Sequence, residues 1–343
     1  MKRIELSFKT TTVLSEYMSK RPAWEIQREV RVKAEEEASS EYGCPPNQRT
    51  LQQHIRFGVV VLDKVPGPTS HEVAFWVKKL LELDKVGHGG TLDPKVTGVL
   101  PVTLQASTKV VQALLTAGKE YVCVMRTHRE EKEQRVRDAL TLFTGELFQR
   151  PPLRSSVKRR LRTRWIYGVD FLEGDGKNWL FKVACESGTY IRKLCYDVGE
   201  YLGAGAHMQE LRRTRSGPFT EEEACTMYDL TEAIDLRDGG DEELLRRLIR
   251  PLEAALELLP KIWIRDSAVE AVCNGAQLAV PGILRYSTGM NVNDLVAVFT
   301  QKGEAVALMN AVMSSGKIQA ESHGIAATPV RVIMPTGVYP KMW

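Results

Sequence analysis

Residues 165–185, WIYGVDFLEGDGKNWLFKVAC, decide the fold class. Two runs rich in β-branched and aromatic residues, Trp165–Leu172 and Trp179–Cys185, flank Gly174-Asp175-Gly176. Such runs on either side of a glycine–aspartate turn read as an antiparallel hairpin. Tyr190–Leu202, close behind it, has helical spacing. Upstream, Gly58–Leu62 is a buried strand by length and β-branching, broken at Pro66-Gly67-Pro68. Thr69 and Glu72 then form a capping box ahead of Val73, Trp76, Val77, Leu80 and Leu81 at helical spacing. Val99–Leu104 and Glu120–Met125 read as strands, and Thr108–Leu115 as a helix. Strands and helices interleave with hairpins, without the regular alternation of a doubly wound sheet. The expected class is α+β, built on a mixed, largely antiparallel sheet.

Outward from this centre the character changes twice. Residues 1 to about 50 are polar and charged and end in Gly43-Cys44-Pro45-Pro46, which reads as a helix-containing extension leading to a linker. The stretch 221–259 is acidic and helical, opened by a second capping box at Thr220 and Glu223. After Pro260 come Ile262–Ile264, a short helix 266–273 closed by Asn274-Gly275, and the runs Asp294–Phe299 and Ala305–Asn310 around Lys302-Gly303. These suggest a small β-rich module of about 80 residues. The expected division is therefore an extension over 1–50, a main domain over 51–259 and a second domain over 260–343, in keeping with about 150 residues per domain.

Of the 343 residues, 43% are apolar and 26% charged, which excludes collagen, mucins, disulfide miniproteins and a wholly disordered chain. The longest apolar runs fall far short of the roughly 18 residues that a membrane span needs. No signal-peptide core follows Met1-Lys2-Arg3, so the expectation is a soluble, cytoplasmic protein without a membrane partner. The six cysteines are scattered, with no C-x-x-C pair, and the histidines show no H-E-x-x-H. No metal cofactor is expected. The formal charge of +4 conceals blocks of opposite sign. Arg154, Lys158, Arg159, Arg160, Arg162 and Arg164 cluster, as do Arg212, Arg213 and Arg215, against Glu35-Glu36-Glu37 and Glu221-Glu222-Glu223. Either these are solvated helix faces, or one face meets a polyanion.

Chemistry concentrates in Gly87-His88-Gly89-Gly90-Thr91-Leu92-Asp93-Pro94. The glycines let backbone approach a ligand closely, and the following proline holds Asp93 on an extended turn. The alternative is a tight turn in which Asp93 bonds its own backbone. A nucleotide-binding phosphate loop is a weak candidate, since neither G-x-x-x-x-G-K-[ST] nor strand–GxGxxG–helix occurs. Tyr121 opens a strand, where it packs in the sheet or stacks on a nucleobase. Arg192, in Ser187-Gly188-Thr189-Tyr190-Ile191-Arg192, is either a surface helix residue or a bidentate partner that keeps a carboxylate ionised.

In this order, LDKVPGPTSHEV, GHGGTLDPKVTGVLPV, AGKEYV, RPPLRSSVKRRLRTR, ESGTYIRKL and GAHMQELRRTRSGPF resemble the TruB branch of pseudouridine synthases. The similarity is closer to the archaeal dyskerin-type synthase, the catalytic subunit of H/ACA ribonucleoproteins. The stretch from IWIRDSAVEAVCNGAQLAVPGI to VYPKMW resembles a PUA domain, an RNA-binding module. The resemblance implies that Asp93 breaks the N-glycosidic bond of a target uridine, that Tyr121 packs against that uridine, and that Arg192 pairs with the aspartate. It implies that His88 and Leu194 lie beside the flipped nucleotide. If Asp93 were buried, desolvation would raise its pKa, and a cationic partner would be needed to hold it charged. Arg154, Lys158, Arg159, Arg212 and Arg213 would bind RNA without reading sequence. Gly275, Pro281 and Gly282 match the RNA-binding loop of the PUA module, and also fit a helix stop and β-turn.

The resemblance further implies no cofactor, a guide RNA that chooses the target, and rRNA or tRNA as substrate. Small accessory proteins complete the expected assembly: a zinc-ribbon-like protein, a Gly/Arg-rich-type protein and a kink-turn-binding ribosomal-type protein. Ser156 stands where the family commonly has alanine, and the absence of a lysine-rich tail after Trp343 looks archaeal. The alternatives are a stand-alone synthase acting on the tRNA T-loop and a non-catalytic RNA scaffold.

Overall fold

The computed structural model describes residues 20–151 and 160–342. Contacts divide the chain into two compact units: residues up to Ile26 with Gly118–Arg213, and Gln27–Ala117 with the chain from Thr214 onward. This division does not follow the chain order of the expected domains.

The first unit contains the hairpin. Arg162–Gly174 pairs antiparallel with Asn178–Cys185, which pairs on its other side with Lys119–Thr127. Gly145–Gln149 extends the sheet beyond Arg162–Gly174. At the turn, the Asp175 carboxylate accepts from the backbone N–H of Asn178 (2.6 Å) and Lys177 (3.0 Å). Those bonds hold its pKa down to about 2. Helices Glu133–Leu142 and Ile191–Leu202 cover one face of the sheet. Ile191, Leu194, Cys195, Val198 and Leu202 fall at helical spacing and join Val136, Leu140, Phe181 and Val183 in one core. The Glu133–Leu142 helix and the strand after it escaped the sequence reading, because a charged, weakly apolar stretch carries little periodic signal.

In the second unit, Gly58–Lys64 pairs with Thr97–Leu104, which also carries the short strand Val86–His88. Ile249–Pro251 pairs with the other edge of Gly58–Lys64. Val60 and Leu62 face helices Ser70–Leu80 and Met227–Asp238, while Val59 and Val61 face a cluster holding Leu114, Leu252, Leu256, Phe299, Leu308 and Ile333. Both faces of this strand are buried, which explains an unbroken β-branched run. That second cluster joins the 260–333 region to the strand, so the two belong to one unit. The expected helix over Thr108–Leu115 is split into a 3-10 turn, Gln105–Val110, and a helix, Val111–Thr116.

The C-terminal region forms a seven-stranded sheet with its own core. Its order is Val30–Val32, Ile283–Ser287, Lys261–Ile264, Leu295–Phe299, Ala305–Ala311, Ile325–Val332 and Leu278–Ala279. Its first strand comes from the extension, as Val30–Val32 pairs antiparallel with Ile283–Ser287. The described part of the extension, 20–50, holds this strand and two 3-10 turns and no α-helix; the rest of the stretch expected to contain a helix, 1–19, lies outside the described residues. A charged segment is well placed on a sheet edge, where Val30, Arg31 and Val32 are all exposed.

Candidate active site

The Asp93 loop lies in the second unit and is held from several sides. Val86–His88 leads in, paired with Thr97–Leu104, and the Gly89 N–H donates to the Pro101 carbonyl (2.9 Å). A β-carbon on Gly87 would meet Val111, and one on Gly89 would meet Leu114, each at 3.0 Å, so the loop is glycine-rich partly to lie against that helix. Gly90, at φ +130°, makes a turn that L side chains rarely adopt. Leu92 is buried, and Ser70 Oγ clamps its backbone, accepting from its N–H (2.8 Å) and donating to its carbonyl (3.2 Å).

Beyond Asp93, the buried Lys64 ammonium donates to the carbonyls of Val65, Pro94 and Val96, each at 3.0 Å. The Val96 N–H returns to the Asp93 carbonyl (2.9 Å). The main chain is thus fixed on both sides of Asp93, while the Asp93 side chain is exposed. The burial considered from sequence is not found at Asp93. His88 faces His71 edge-on, with ring centroids 4.8 Å apart.

The first unit carries Tyr121, Arg192, Leu194, Arg212 and Arg213. Tyr121 is half-buried on Lys119–Thr127, its phenol pKa pushed up by burial. Its hydroxyl accepts a hydrogen bond from Arg213, which is 1% exposed. Arg213 was expected among the RNA-binding arginines; burial instead puts it beneath Tyr121 and lowers its own pKa. Lys119, also buried, is driven down to about 7 by desolvation and by Arg213 beside it. Leu194, expected beside the base, is fully buried in the core and offers no surface. What it does is anchor the helix that presents Arg192.

Arg192 is exposed at the first turn of Ile191–Leu202. The buried Gln149 fixes the residue before that helix, accepting from the Tyr190 N–H (2.9 Å) and donating to its carbonyl (3.2 Å). Arg212 is half-buried. Arg154, Lys158 and Arg159 lie outside the described residues.

The C-terminal loop residues gather around helix Asp266–Cys273. Gly275, exposed at φ +88°, closes the helix, its N–H donating to Val272 O (2.9 Å). At the other end, Arg265 donates from Nε to the Pro281 carbonyl and from its backbone to the Gly282 carbonyl, both at 2.9 Å. A β-carbon on Gly282 would stand 3.3 Å from Ala268 and Leu278. Among the described residues, no group of three or more His, Cys, Asp or Glu side chains could hold a metal ion. No described helix is long and apolar enough to cross a membrane.

The structure thus brings His88 and Asp93 together on one loop, Tyr121 with Arg213, and Gly275, Pro281 and Gly282 about one helix. Sequence reasoning missed Lys64, Ser70 and Gln149. Lys64 left a signal, a charge closing a run of buried β-branched residues.

Residues 78–191 match the model of the TruB family pseudouridylate synthase N-terminal domain, and 192–257 that of the tRNA pseudouridylate synthase B C-terminal domain. Residues 260–333 match the PUA domain and 23–74 the DKCLD domain. The chain is 55% identical over 322 residues to a protein of Thermococcus onnurineus described as probable tRNA pseudouridine synthase B, covering 93% of this chain and 96% of that one. Its identity to the Methanopyrus kandleri protein of the same description is 52%, over 94% and 96% of the two chains. A Cbf5-Nop10-Gar1 complex contains a chain that superposes with a TM-score of 0.90 at 52% identity, covering 95% of this chain and 99% of that one. An H/ACA RNP bound to a substrate RNA containing 2′-deoxyuridine gives 0.88 at 50% identity, over 94% and 100%.

Proposed function

Because the chain belongs to the TruB family of pseudouridine synthases, we propose that it isomerises uridine to pseudouridine in RNA. It acts in this reading as the catalytic subunit of an H/ACA ribonucleoprotein, with a guide RNA choosing the target in rRNA or tRNA. The observation that carries the reading is the match along 94% of the chain to the H/ACA RNP holding substrate RNA. The exposed Asp93 carboxylate on its pinned loop supplies the chemistry.

In the proposed reaction, Asp93 engages the everted nucleoside and the C1′–N1 bond breaks. The uracil turns, a C1′–C5 bond forms, C5 gives up its proton and N1 gains one. The sum is an isomerisation, balanced without a cofactor. Tyr121, held through its hydroxyl by Arg213, packs against the base. Arg192 keeps the aspartate ionised, a role that matters once the nucleoside has displaced water. His88 positions the nucleotide. Eversion costs a few kcal/mol, least for an unpaired target.

Arg212 and the basic residues 154, 158 and 159 contribute affinity for phosphate. Gly275, Pro281 and Gly282 hold the end of the guide. The domain reading of 1–50, 51–259 and 260–343 goes with this assignment; the PUA match beginning at 260 favours its last boundary, while the DKCLD match over 23–74 runs across its first. Small accessory proteins of the zinc-ribbon-like, Gly/Arg-rich and kink-turn-binding kinds complete the proposed particle. A cytoplasmic location is proposed with it, in line with archaeal relatives.

The test is reconstitution with guide RNA and a matched oligonucleotide. Asp93→Asn should abolish product and leave guide-RNA affinity within about twofold; residual product would refute the catalytic assignment. A second reading, unguided action on tRNA, is favoured by the description of the relatives as tRNA pseudouridine synthase B. Product from the oligonucleotide without guide would sink the guided model.

A further inference from the structure

Two histidines of the first unit that take no part in the chemistry proposed above meet at one end of its sheet. Lys119–Thr127 and Ala206–Ser216 are neighbouring strands. His128 directly follows the first, and His207 is the second residue of the other. The His128 N–H donates to the Gly205 carbonyl (2.9 Å), which ties the two segments together. Gly205 is at φ +64°, and a β-carbon there would stand 2.7 Å from His128 Nδ1, so the glycine leaves room for the ring. Both side chains are exposed, and His128 Nε2 lies 3.2 Å from His207 Nδ1. His207 Nε2 in turn is 3.1 Å from Gln209 Oε1. An amide oxygen only accepts, so Nε2 carries the proton and Nδ1 keeps its lone pair, directed at His128.

We propose that His128 and His207 form a two-imidazole site for a divalent transition-metal ion of the Zn²⁺ or Cu²⁺ class, with Gln209 as the residue that orients it. Two features favour an ion over a plain hydrogen bond between rings. Metal-ligating histidines donate their other ring N–H to an oxygen, which fixes the tautomer and aims the ligating nitrogen, and Gln209 does this for His207. The spacing also fits: two nitrogens at about 2.0–2.1 Å from a tetrahedral zinc stand about 3.3–3.4 Å apart. On binding, the proton between the rings moves to His128 Nδ1 and the ion takes its place, so both ligands are neutral imidazoles. Imidazole suits these ions, whereas Mg²⁺ and Ca²⁺ prefer oxygen. Water fills the remaining positions, so the ion is exchangeable, unlike one in a closed structural site. It would tie the end of the strand that carries Tyr121 to the start of the strand that carries Arg213. No spacing rule could find this pair, because its members are 79 residues apart. The site does not depend on the proposed function.

The test uses the full chain, stripped of metal with a chelator, and Cu²⁺ alone as the probe. A single equivalent should give an electron paramagnetic resonance spectrum split by two imidazole nitrogens. Zn²⁺ binding, read by equilibrium dialysis, should show the same dependence on side chains. His128→Ala and His207→Ala should each abolish the two-nitrogen spectrum and the Zn²⁺ binding. Gln209→Ala should weaken Zn²⁺ binding about ten- to a hundredfold, and Gln209→Glu, which keeps an acceptor for His207, should restore it. All three side chains are exposed, so the substitutions leave the core intact, and a thermal melt verifies this. His71 and His88 form another facing pair, in the second unit, and supply the control. His71→Ala should leave the spectrum unchanged. Loss of the signal in His71→Ala with retention in His128→Ala would place the ion there and overturn the proposal. So would the absence of a two-nitrogen spectrum, or binding indifferent to both His128→Ala and His207→Ala.

Discussion

Lys64 shows how far the Asp93 turn depends on one buried side chain beneath it. Its buried ammonium meets three carbonyls, two of them at Pro94 and Val96 on the Asp93 turn. Removing the charge leaves those carbonyls without their donor. Lys64→Met should lower product formation about a hundredfold, the scale of an ångström-sized misplacement, while guide-RNA affinity stays within about twofold. A variant with full turnover would show that the loop holds Asp93 without it. Neighbouring arginines make an opposite pair. Arg212 is half-buried, so Arg212→Gln should reduce the slope of log affinity against log salt by about 0.9 on duplex. Arg213 is buried under Tyr121, so Arg213→Lys should leave that slope alone and lower kcat instead. Equal slope changes in both would mean that Arg213 reaches RNA.

Elements were legible in proportion to how locally they are specified. Thr69 accepts from the Glu72 N–H and Glu72 from the Thr69 N–H, and the helix starts where that box places it. The hairpin around Asp175 was equally visible, since its turn is closed by residues within three positions. What escaped was specified at long range. Buried Arg49 of the extension meets Glu253 bidentately, at 3.0 and 2.7 Å, and Glu253 also accepts from the Ala305 N–H (3.0 Å). No spacing rule links positions 204 residues apart. The same holds for Lys64 under the Asp93 loop and for Arg213 under Tyr121, whose chemistry was read as surface charge. Glu253→Ala strands a buried guanidinium and should cost about 3–5 kcal/mol in denaturant unfolding. A cost below about 1 kcal/mol would mean that Arg49 finds water instead.

The molecule as a whole should carry a signature of its buried charge. The Lys119 pKa is lowered from 10.5 to about 7, chiefly by desolvation. Between those values the unfolded chain holds a proton that the folded chain has released, so stability rises with pH across that window and is level below it. Cys185, raised from 9.0 to about 12 by burial, acts the other way above pH 9, where the unfolded thiol ionises first. The net gain is therefore expected between pH 7 and 9. Denaturant unfolding at pH 7, 8 and 9 should show it in the wild type and not in Lys119→Met. A rise of equal size in both would assign it to another group.

The strand Val30–Val32 has a consequence for how the chain is made. Glu29 and Thr288, at the end of its pairing with Ile283–Ser287, are 259 residues apart. At about 5–20 residues per second, a ribosome takes about 10–50 s to cover that interval. Throughout, the nascent chain carries an edge segment whose partner has not been translated. Its charges, Arg31 within it and Glu29 and Lys33 on its flanks, keep that waiting segment soluble and discourage it from joining a stranger's sheet.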